Sequence, residues 1–82
     1  MVYARETLNR LKWDSSEDLD EASITYVNRG APDDVTIIRG SEILELEKWC
    51  FVTRDASIPY HRVVRIEYRG ETVFDKKRER GG

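Results

Sequence analysis

The sequence predicts an α+β domain in which one N-terminal helix packs on a curved antiparallel sheet of five or six short strands. Three observations support this class: helical spacing of apolar residues near the start, two-residue alternation afterwards, and turn residues that interrupt the alternation at short intervals. The chain has 82 residues, the size of one domain, and two Trp, four Tyr and two Phe supply bulk for a small core. We therefore expect a single domain over residues 1–75 and a basic, flexible tail over residues 76–82.

The helix is predicted over residues 3–12, "YARETLNRLK". Ala4, Leu8 and Leu11 recur at spacings of four and three residues, which places them on one narrow stripe. The polar stretch that follows is expected to contain one helical turn that puts Leu19 against the core.

The first two strands are predicted on either side of a turn. "SITYVNRG" alternates, with Ile24, Tyr26 and Asn28 on one face, and "GAPDD" marks the turn before the strand "VTIIRG". Two further strands are expected at residues 42–46 and 49–53, with a turn at Glu47–Lys48.

The last two strands are predicted to form a hairpin. In "HRVVRIEY" the residues Val64, Ile66 and Tyr68 share one face, and Gly70 stands where a tight hairpin turn needs glycine. "TVFDKK" then closes the sheet as its last strand.

Several kinds of site are excluded by composition. One cysteine, Cys50, permits no intramolecular disulfide, and one histidine with one cysteine is too few for a zinc site. The acidic run after the helix has Leu19 where a calcium loop requires glycine. No glycine-rich phosphate loop or nucleophile motif is present, and RNA cleavage by paired imidazoles would require a second histidine. We therefore expect a protein without a metal or cofactor that is not an enzyme.

The location predicted for the protein is the cytoplasm. No stretch approaches the roughly 20 apolar residues that a membrane span needs, and the N-terminus lacks a signal-peptide pattern. No membrane association is expected.

The charge distribution is compatible with a basic patch although the net charge is −2. Ten of the fourteen basic residues are arginines, whose planar fork suits bidentate contact with phosphate. Five of the sixteen acidic residues lie within residues 14–21, so the rest of the chain has more basic than acidic residues.

Two motifs bring arginine next to aromatic and hydrogen-bonding groups. The first, "TYVNRGAPDD", and the second, "IPYHRVVR", contain the parts that bind phosphate and stack a base. Two structural interpretations of the second motif remain open, His61 hydrogen-bonded beneath a loop or an Arg62 ion pair with the Asp33–Asp34 turn. In the first motif, Arg29 and Gly30 are equally consistent with an ordinary strand end. The candidate residues are Tyr26, Asn28, Arg29, Gly30, Tyr60, His61, Arg62 and Arg65. Trp13 and Trp49 are expected in the core, because a small domain needs their bulk.

The two motifs, together with "LNRLKWD" at Leu8–Asp14, resemble a small domain family, common in archaea, that is proposed to recognise RNA ends bearing a cyclic phosphate. The matching segments Tyr26–Asp34 and Ile58–Val63 rarely occur together by chance, and the resemblance covers nearly the whole chain up to about Asp75. Members of that family often have histidine before the Arg-Gly pair, where this chain has Asn28. Because an amide supplies no proton near neutral pH, this departure favours binding over catalysis.

The predicted function is therefore a non-catalytic module that binds RNA 3′ ends, including 2′,3′-cyclic phosphate ends, in RNA processing or repair. Arg29 and Arg62 would balance the phosphate charge, and His61 and Asn28 would donate hydrogen bonds. Tyr26 or Tyr60 would stack the terminal base, and Gly30 would allow close backbone approach.

Two alternatives remain open. The acidic segment, residues 14–21, would repel RNA and favours a scaffold that docks onto an RNA-processing protein. The Gly-Gly that ends "RERGG" also ends ubiquitin-like modifiers and makes a modifier the more distant alternative, since the preceding motifs do not resemble that family.

Overall fold

The computed structural model describes residues 4–14 and 16–76, and they contain one α-helix and seven strands. No helix in this part of the chain is long and apolar enough to cross a membrane. The predicted tail and the terminal Gly-Gly lie outside the described residues, apart from Lys76. The helix is α1 (Ala4–Trp13), and the strands are β1 (Ala22–Val27), β2 (Val35–Arg39), β3 (Ile43–Leu46), β4 (Cys50–Thr53), β5 (Ser57–Pro59), β6 (Val63–Tyr68) and β7 (Glu71–Asp75).

The strands form two antiparallel sheets. The four-stranded sheet has the order β2-β1-β6-β7, and the three-stranded sheet has the order β3-β4-β5. The α+β class with an N-terminal helix is confirmed, whereas the prediction of one curved sheet with five or six strands is wrong. Alternation along a strand reports which side chains share a face, but it does not identify the neighbouring strand. Because β1 and β6 are far apart in the chain, no local sequence pattern indicates that the two strands pair.

The chain passes from one sheet to the other at two single 3-10 turns. Gly40–Glu42 joins β2 to β3, and Tyr60–Arg62 joins β5 to β6. The sequence predicts a strand that begins at His61, but the strand begins at Val63. The three-residue strand β5 was not predicted, because a segment this short that contains Pro59 shows no alternation.

A register shift in β6 changes which valine is buried. Tyr26 pairs with Val63 whereas Thr25 pairs with Arg65, so Val64 is an extra residue opposite β1. Val63 is consequently buried and Val64 is half-buried. The prediction that Val64 shares the buried face with Ile66 and Tyr68 is wrong at this one position.

The helix packs on the core through the apolar stripe that the sequence predicts. Ala4, Leu8 and Leu11 are all buried, and Thr7 is buried beside them. The helix contacts both sheets, at β3 and at β7. Leu19 is also buried, in a 3-10 turn at Leu19–Glu21, as the sequence predicts.

Phe51 of β4 is the aromatic centre of the core. Its side chain is fully buried, and its ring centroid lies 6.3 Å from that of Tyr26 and 5.9 Å from that of Tyr60. Tyr26 belongs to the four-stranded sheet, so Phe51 packs the two sheets against each other. The rest of the core is mainly aliphatic, including Ile24 and Ile66, with Tyr68 and Phe74 as further buried aromatic residues.

The two tryptophans are exposed, which corrects the prediction that they are buried. Trp13 is 74% exposed at the end of α1, and Trp49 is 76% exposed in the turn between β3 and β4. Aliphatic side chains together with Phe51, Tyr68 and Phe74 already fill the interior. Each indole instead has a lysine ammonium over its ring, Lys12 at 5.1 Å from the first and Lys48 at 5.3 Å from the second.

Acidic residues of the segment 14–21 form hydrogen bonds and ion pairs within the protein. Asp14 accepts hydrogen bonds from the backbone N–H and the hydroxyl of Ser16, and these bonds lower the pKa of its carboxyl. Glu17 forms an ion pair with Arg10 at 3.3 Å.

Glu21 at the start of β1 accepts two hydrogen bonds from Arg69, at 3.1 and 2.7 Å. Arg69 and Gly70 form the predicted tight turn of the β6–β7 hairpin with φ values of 50° and 85°. Positive φ at both positions is the backbone of a type I′ turn. The ion pair thus links the hairpin to β1.

Gly40→Ala should destabilise the protein by about 3 kcal/mol, because overpacking a filled site forces the backbone to move. A Cβ atom at Gly40 would lie 1.8 Å from the carbonyl oxygen of Leu19. Denaturant unfolding measures the effect. The adjacent, exposed Ser41→Ala is the control and should stay within about 0.5 kcal/mol of the wild type. A stable Gly40→Ala protein would show that this corner is loosely packed.

Glu21→Gln should lower the melting temperature at neutral pH but not in acid. The hydrogen bonds from Arg69 lower the pKa of Glu21, so the folded state stabilises the ionised carboxylate. This stabilisation is present above the unfolded-state pKa and is lost as the pH falls through the folded-state pKa. Melting temperatures of both proteins from neutral pH to about pH 3 should therefore converge. Glu45→Gln, at an exposed glutamate with no partner among the described residues, should show no such pH-dependent difference.

Candidate functional site

The two motifs meet at one end of the four-stranded sheet. β1 and β6 are antiparallel neighbours, and Tyr26 pairs with Val63. The chain that leaves β1 after Val27 and the chain that enters β6 after Arg62 therefore lie side by side. We call residues 28–34 the first loop and the 3-10 turn Tyr60–Arg62 the second loop.

Backbone hydrogen bonds close the first loop. The N–H of Asn28 donates to the carbonyl of Asp34 at 2.8 Å, and the N–H of Ala31 donates to the carbonyl of Asn28 at 3.1 Å. Gly30 has φ +97°, a conformation that favours glycine, and the space where a side chain would lie is open. The loop thus exposes backbone beside Arg29.

The side chains of the first loop differ in how they are held. The Asn28 amide donates to the Thr36 hydroxyl at 2.8 Å, which orients it and leaves its second N–H available. Arg29 is exposed and makes no ion pair or hydrogen bond with any residue that the structure describes. Asp33 and Asp34 are exposed and have positive φ values of 59° and 58°, which are uncommon outside glycine.

Tyr60 anchors the second loop. Its ring packs on Phe51, its hydroxyl donates to the carbonyl of Glu47 at 2.6 Å, and its N–H donates to the carbonyl of Trp49 at 3.2 Å. Burial raises the pKa of the Tyr60 hydroxyl, and the nearby Arg5 guanidinium opposes that rise. The loop is therefore attached to the turn between β3 and β4.

His61 and Arg62 project from this anchored loop. Both are exposed, and neither side chain has a partner among residues 4–14 and 16–76. The carbonyl of His61 accepts a hydrogen bond from the Lys76 ammonium at 2.5 Å, which brings a further cation to the site. The imidazole is not hydrogen-bonded beneath a loop, and Arg62 does not pair with the Asp33–Asp34 turn. Both structural interpretations left open by the sequence are thus excluded for the described residues.

Two of the predicted site residues lie apart from the loops. Tyr26 is half-buried on the core side of β1, where it meets Phe51 edge-on at 80°. Arg65 lies on the outer face of the sheet, 4.0 Å from Glu67 and 4.0 Å from Asp75. Its charge is balanced there, unlike that of Arg29 and Arg62.

A shallow groove of about 610 Å³ lies on that outer face. Ile37 and Val64 contribute apolar surface, and Arg65 and Lys76 contribute charge. The groove borders the second loop, since Lys76 also contacts His61. Within the described residues, no group of three His, Cys, Asp or Glu side chains is placed to hold a metal ion.

Four residues join the site without having been predicted there. The charge of Arg5 on the helix acts on the Tyr60 hydroxyl, and Lys76 at the end of β7 bonds to the carbonyl of His61. In the turn between β3 and β4, the backbone of Trp49 bonds to Tyr60, and Lys48 lies over the Trp49 ring. For Lys76 the sequence indicated only that it begins a basic tail. Trp49 was assigned to the core, and the position of Arg5 depends on how the helix docks.

A comparison with protein families matches residues 1–76 to the MJ1316 RNA cyclic group end recognition domain. The chain belongs to this family. The match spans both loops and the strands that hold them, so the resemblance seen in the motifs is confirmed.

Archaeal relatives support the assignment. A UPF0248 protein of Thermococcus onnurineus is 37% identical over 79 residues, which are 95% of this chain and 90% of the relative. The UPF0248 protein MK0350 of Methanopyrus kandleri is 32% identical over 69 residues, which are 84% of this chain and 93% of that protein. No solved structure matches the chain.

Tyr60→Phe should destabilise the protein by about 1 kcal/mol, because the carbonyl of Glu47 loses its donor. Unfolding in denaturant measures the change. Tyr26→Phe is the matched control: it also packs on Phe51, but its hydroxyl has no hydrogen-bond partner among the described residues. Its stability should stay within about 0.5 kcal/mol of the wild type. Equal stability of the two variants would mean that the Tyr60 hydroxyl does not anchor the loop.

Proposed function

We propose that the protein is a non-catalytic RNA-binding module that recognises RNA 3′ ends bearing a 2′,3′-cyclic phosphate. The observation that carries this proposal is the pair of exposed arginines, Arg29 and Arg62, at one end of the sheet without partners among the described residues. The family's description, RNA cyclic group end recognition, supports the same ligand class.

The chemistry of the two loops suits an anionic group. Arg29 and Arg62 supply forked donors, and the imidazole of His61 and the second amide N–H of Asn28 add donors beside them. Gly30 leaves space for the ligand next to the backbone. A phosphate oxygen set between the loops would satisfy groups that are otherwise open to solvent.

The acidic residues of the first loop favour a singly charged end. A cyclic phosphate diester carries one negative charge, whereas a 3′-phosphate monoester carries about −1.5 to −2 near pH 7. Asp33 and Asp34 are exposed in the loop that carries Arg29. Their charges would repel the monoester more strongly than the cyclic diester and so offset the stronger attraction that Arg29 and Arg62 exert on the monoester.

Binding without cleavage follows from the same residues. Transfer of protons to and from an RNA 2′-hydroxyl and leaving oxygen requires a base and an acid in reach of both. His61 is the one histidine of the chain, and Asn28 is hydrogen-bonded to Thr36 and does not titrate. We therefore assign the loops to recognition.

The scaffold function receives less support. It was motivated by the charge of the acidic segment, but Glu17 and Glu21 of that segment are paired with Arg10 and Arg69. Moreover, Glu21 lies at the start of β1, whereas the first loop follows its end. Repulsion of RNA by this segment would thus act at a distance from the loops.

Arg29→Ala and Arg62→Ala should each weaken binding of a cyclic-phosphate RNA about tenfold, as expected for the loss of a charge-assisted hydrogen bond. Titration of one short single-stranded RNA with three ends (2′,3′-cyclic phosphate, 3′-phosphate and 3′-hydroxyl) measures this, at two salt concentrations. The wild type should prefer the cyclic end.

The matched control is Arg54→Ala. Arg54 is exposed and unpaired among the described residues, but it lies in the β4–β5 turn, at the opposite end of the three-stranded sheet from Pro59. Its removal should change affinity less than about twofold. Equal affinity of the wild type for all three ends, or unchanged affinity in both loop variants, would contradict the proposed function.

A further inference from the structure

We propose that Trp49, with Lys48 beside it, stacks a base near the RNA 3′ end, so that the ligand is a single-stranded end rather than a duplex end. This inference rests on the proposed function and extends it from the phosphate to the nucleotide. It assigns a role to an exposed aromatic side chain that the core does not use.

Trp49 is held next to the second loop by Tyr60. The carbonyl of Trp49 accepts the Tyr60 N–H, and the carbonyl of Glu47 accepts the Tyr60 hydroxyl. The adjacent residues Cys50 and Pro59 are paired in the sheet. Two hydrogen bonds from one residue therefore fix the Trp49 turn against the loop that carries His61 and Arg62.

The indole of Trp49 is available for a ligand. It is 76% exposed, and the Lys48 ammonium lies 5.3 Å from the ring centroid. With Lys48 over one face, the high exposure leaves the other face open for a base. Proteins that bind single strands combine aromatic platforms with cations that track the backbone, and this turn offers both.

The other aromatic residues near the loops are less suited to stacking. Tyr26 and Tyr60 are half-buried and pack on Phe51, so ring surface is already covered. Trp13 is exposed, but it lies at the far end of α1. Arg5, which influences Tyr60, is near the start of that helix, and eight residues of helix separate the two by about 12 Å.

Stacking on Trp49 requires an unpaired base. In an RNA duplex the bases stack on one another and their edges are paired, whereas a free 3′ end can turn a base onto a protein ring. A single strand can thus place its phosphate between the loops and a base on the indole.

The experiment compares Trp49→Leu with Trp13→Leu. The two tryptophans are matched: Trp13 is 74% exposed and has Lys12 at 5.1 Å from its ring. Binding of a short mixed-sequence RNA with a 2′,3′-cyclic phosphate is measured by fluorescence anisotropy, and circular dichroism checks that each variant folds. Trp49→Leu should lose at least about tenfold in affinity, Trp49→Phe should retain most of it, and Trp13→Leu should stay within about twofold of the wild type.

Two further readouts locate the contact. In Trp13→Leu the remaining indole is Trp49, and unlabelled RNA should quench its fluorescence. In Trp49→Leu the remaining indole is Trp13, and quenching should be absent. Annealing the RNA to its complement should weaken binding to the wild type but leave the affinity of Trp49→Leu almost unchanged.

The outcomes separate this inference from the proposed function. If the wild type prefers the cyclic end but Trp49→Leu keeps full affinity without quenching in Trp13→Leu, stacking is overturned and end recognition stands. If the wild type binds all ends equally and Trp49→Leu still loses affinity, end recognition is overturned and stacking is supported. Absence of RNA binding by the wild type overturns both.

Discussion

The packing of Tyr26 and Tyr60 on Phe51 is the contact on which the arrangement of the site depends. Tyr26 lies just before the first loop and Tyr60 is the first residue of the second, so one fully buried ring fixes both loops from below. Phe51 belongs to the three-stranded sheet and Tyr26 to the four-stranded sheet. The contact that joins the two sheets is therefore also the contact beneath the loops that carry Arg29 and Arg62. A thin core serves a surface site in this way because its largest fully buried side chain lies beneath the loops.

The charge of the protein is organised along the four-stranded sheet. The acidic segment leads into the start of β1, where Arg69 holds Glu21. Arg29 and Arg62, which pair with no described residue, lie beyond the end of β1 and before β6. Ion pairs neutralise charged side chains at the start of β1, whereas the arginines of the two loops form no ion pair with a described residue. Net charge governs solubility and long-range attraction. The local balance of the loops governs which anion they accept, so a chain with net charge −2 can present a cationic end.

Which features can be predicted from the sequence depends on how far apart in the chain the interacting residues lie. The stripe of Ala4, Leu8 and Leu11 and the Gly70 turn depend on residues a few positions apart, and both were predictable. The pairing of β1 with β6 depends on residues nearly forty positions apart, so the meeting of the two motifs was not. The candidate residues of the loops were found because arginine, glycine and histidine are chemically distinctive in turns. Trp49 was misplaced because hydrophobicity predicts burial on average, while the actual exposure depends on whether other side chains have already filled the core.

The exposure of both arginines limits what phosphate recognition alone can achieve. The tenfold loss expected on removal of either arginine corresponds to about 1.4 kcal/mol, because water and salt screen exposed charges. A micromolar complex requires about 8 kcal/mol at the standard state, which two such contacts do not supply. Affinity must therefore come from contacts that exclude water, and a base stacked on Trp49 is the contact that this surface offers beside the loops. In the proposed function the arginines and Asp33–Asp34 would select the chemistry of the end, while a base stacked on the indole would add about 1–3 kcal/mol of binding free energy.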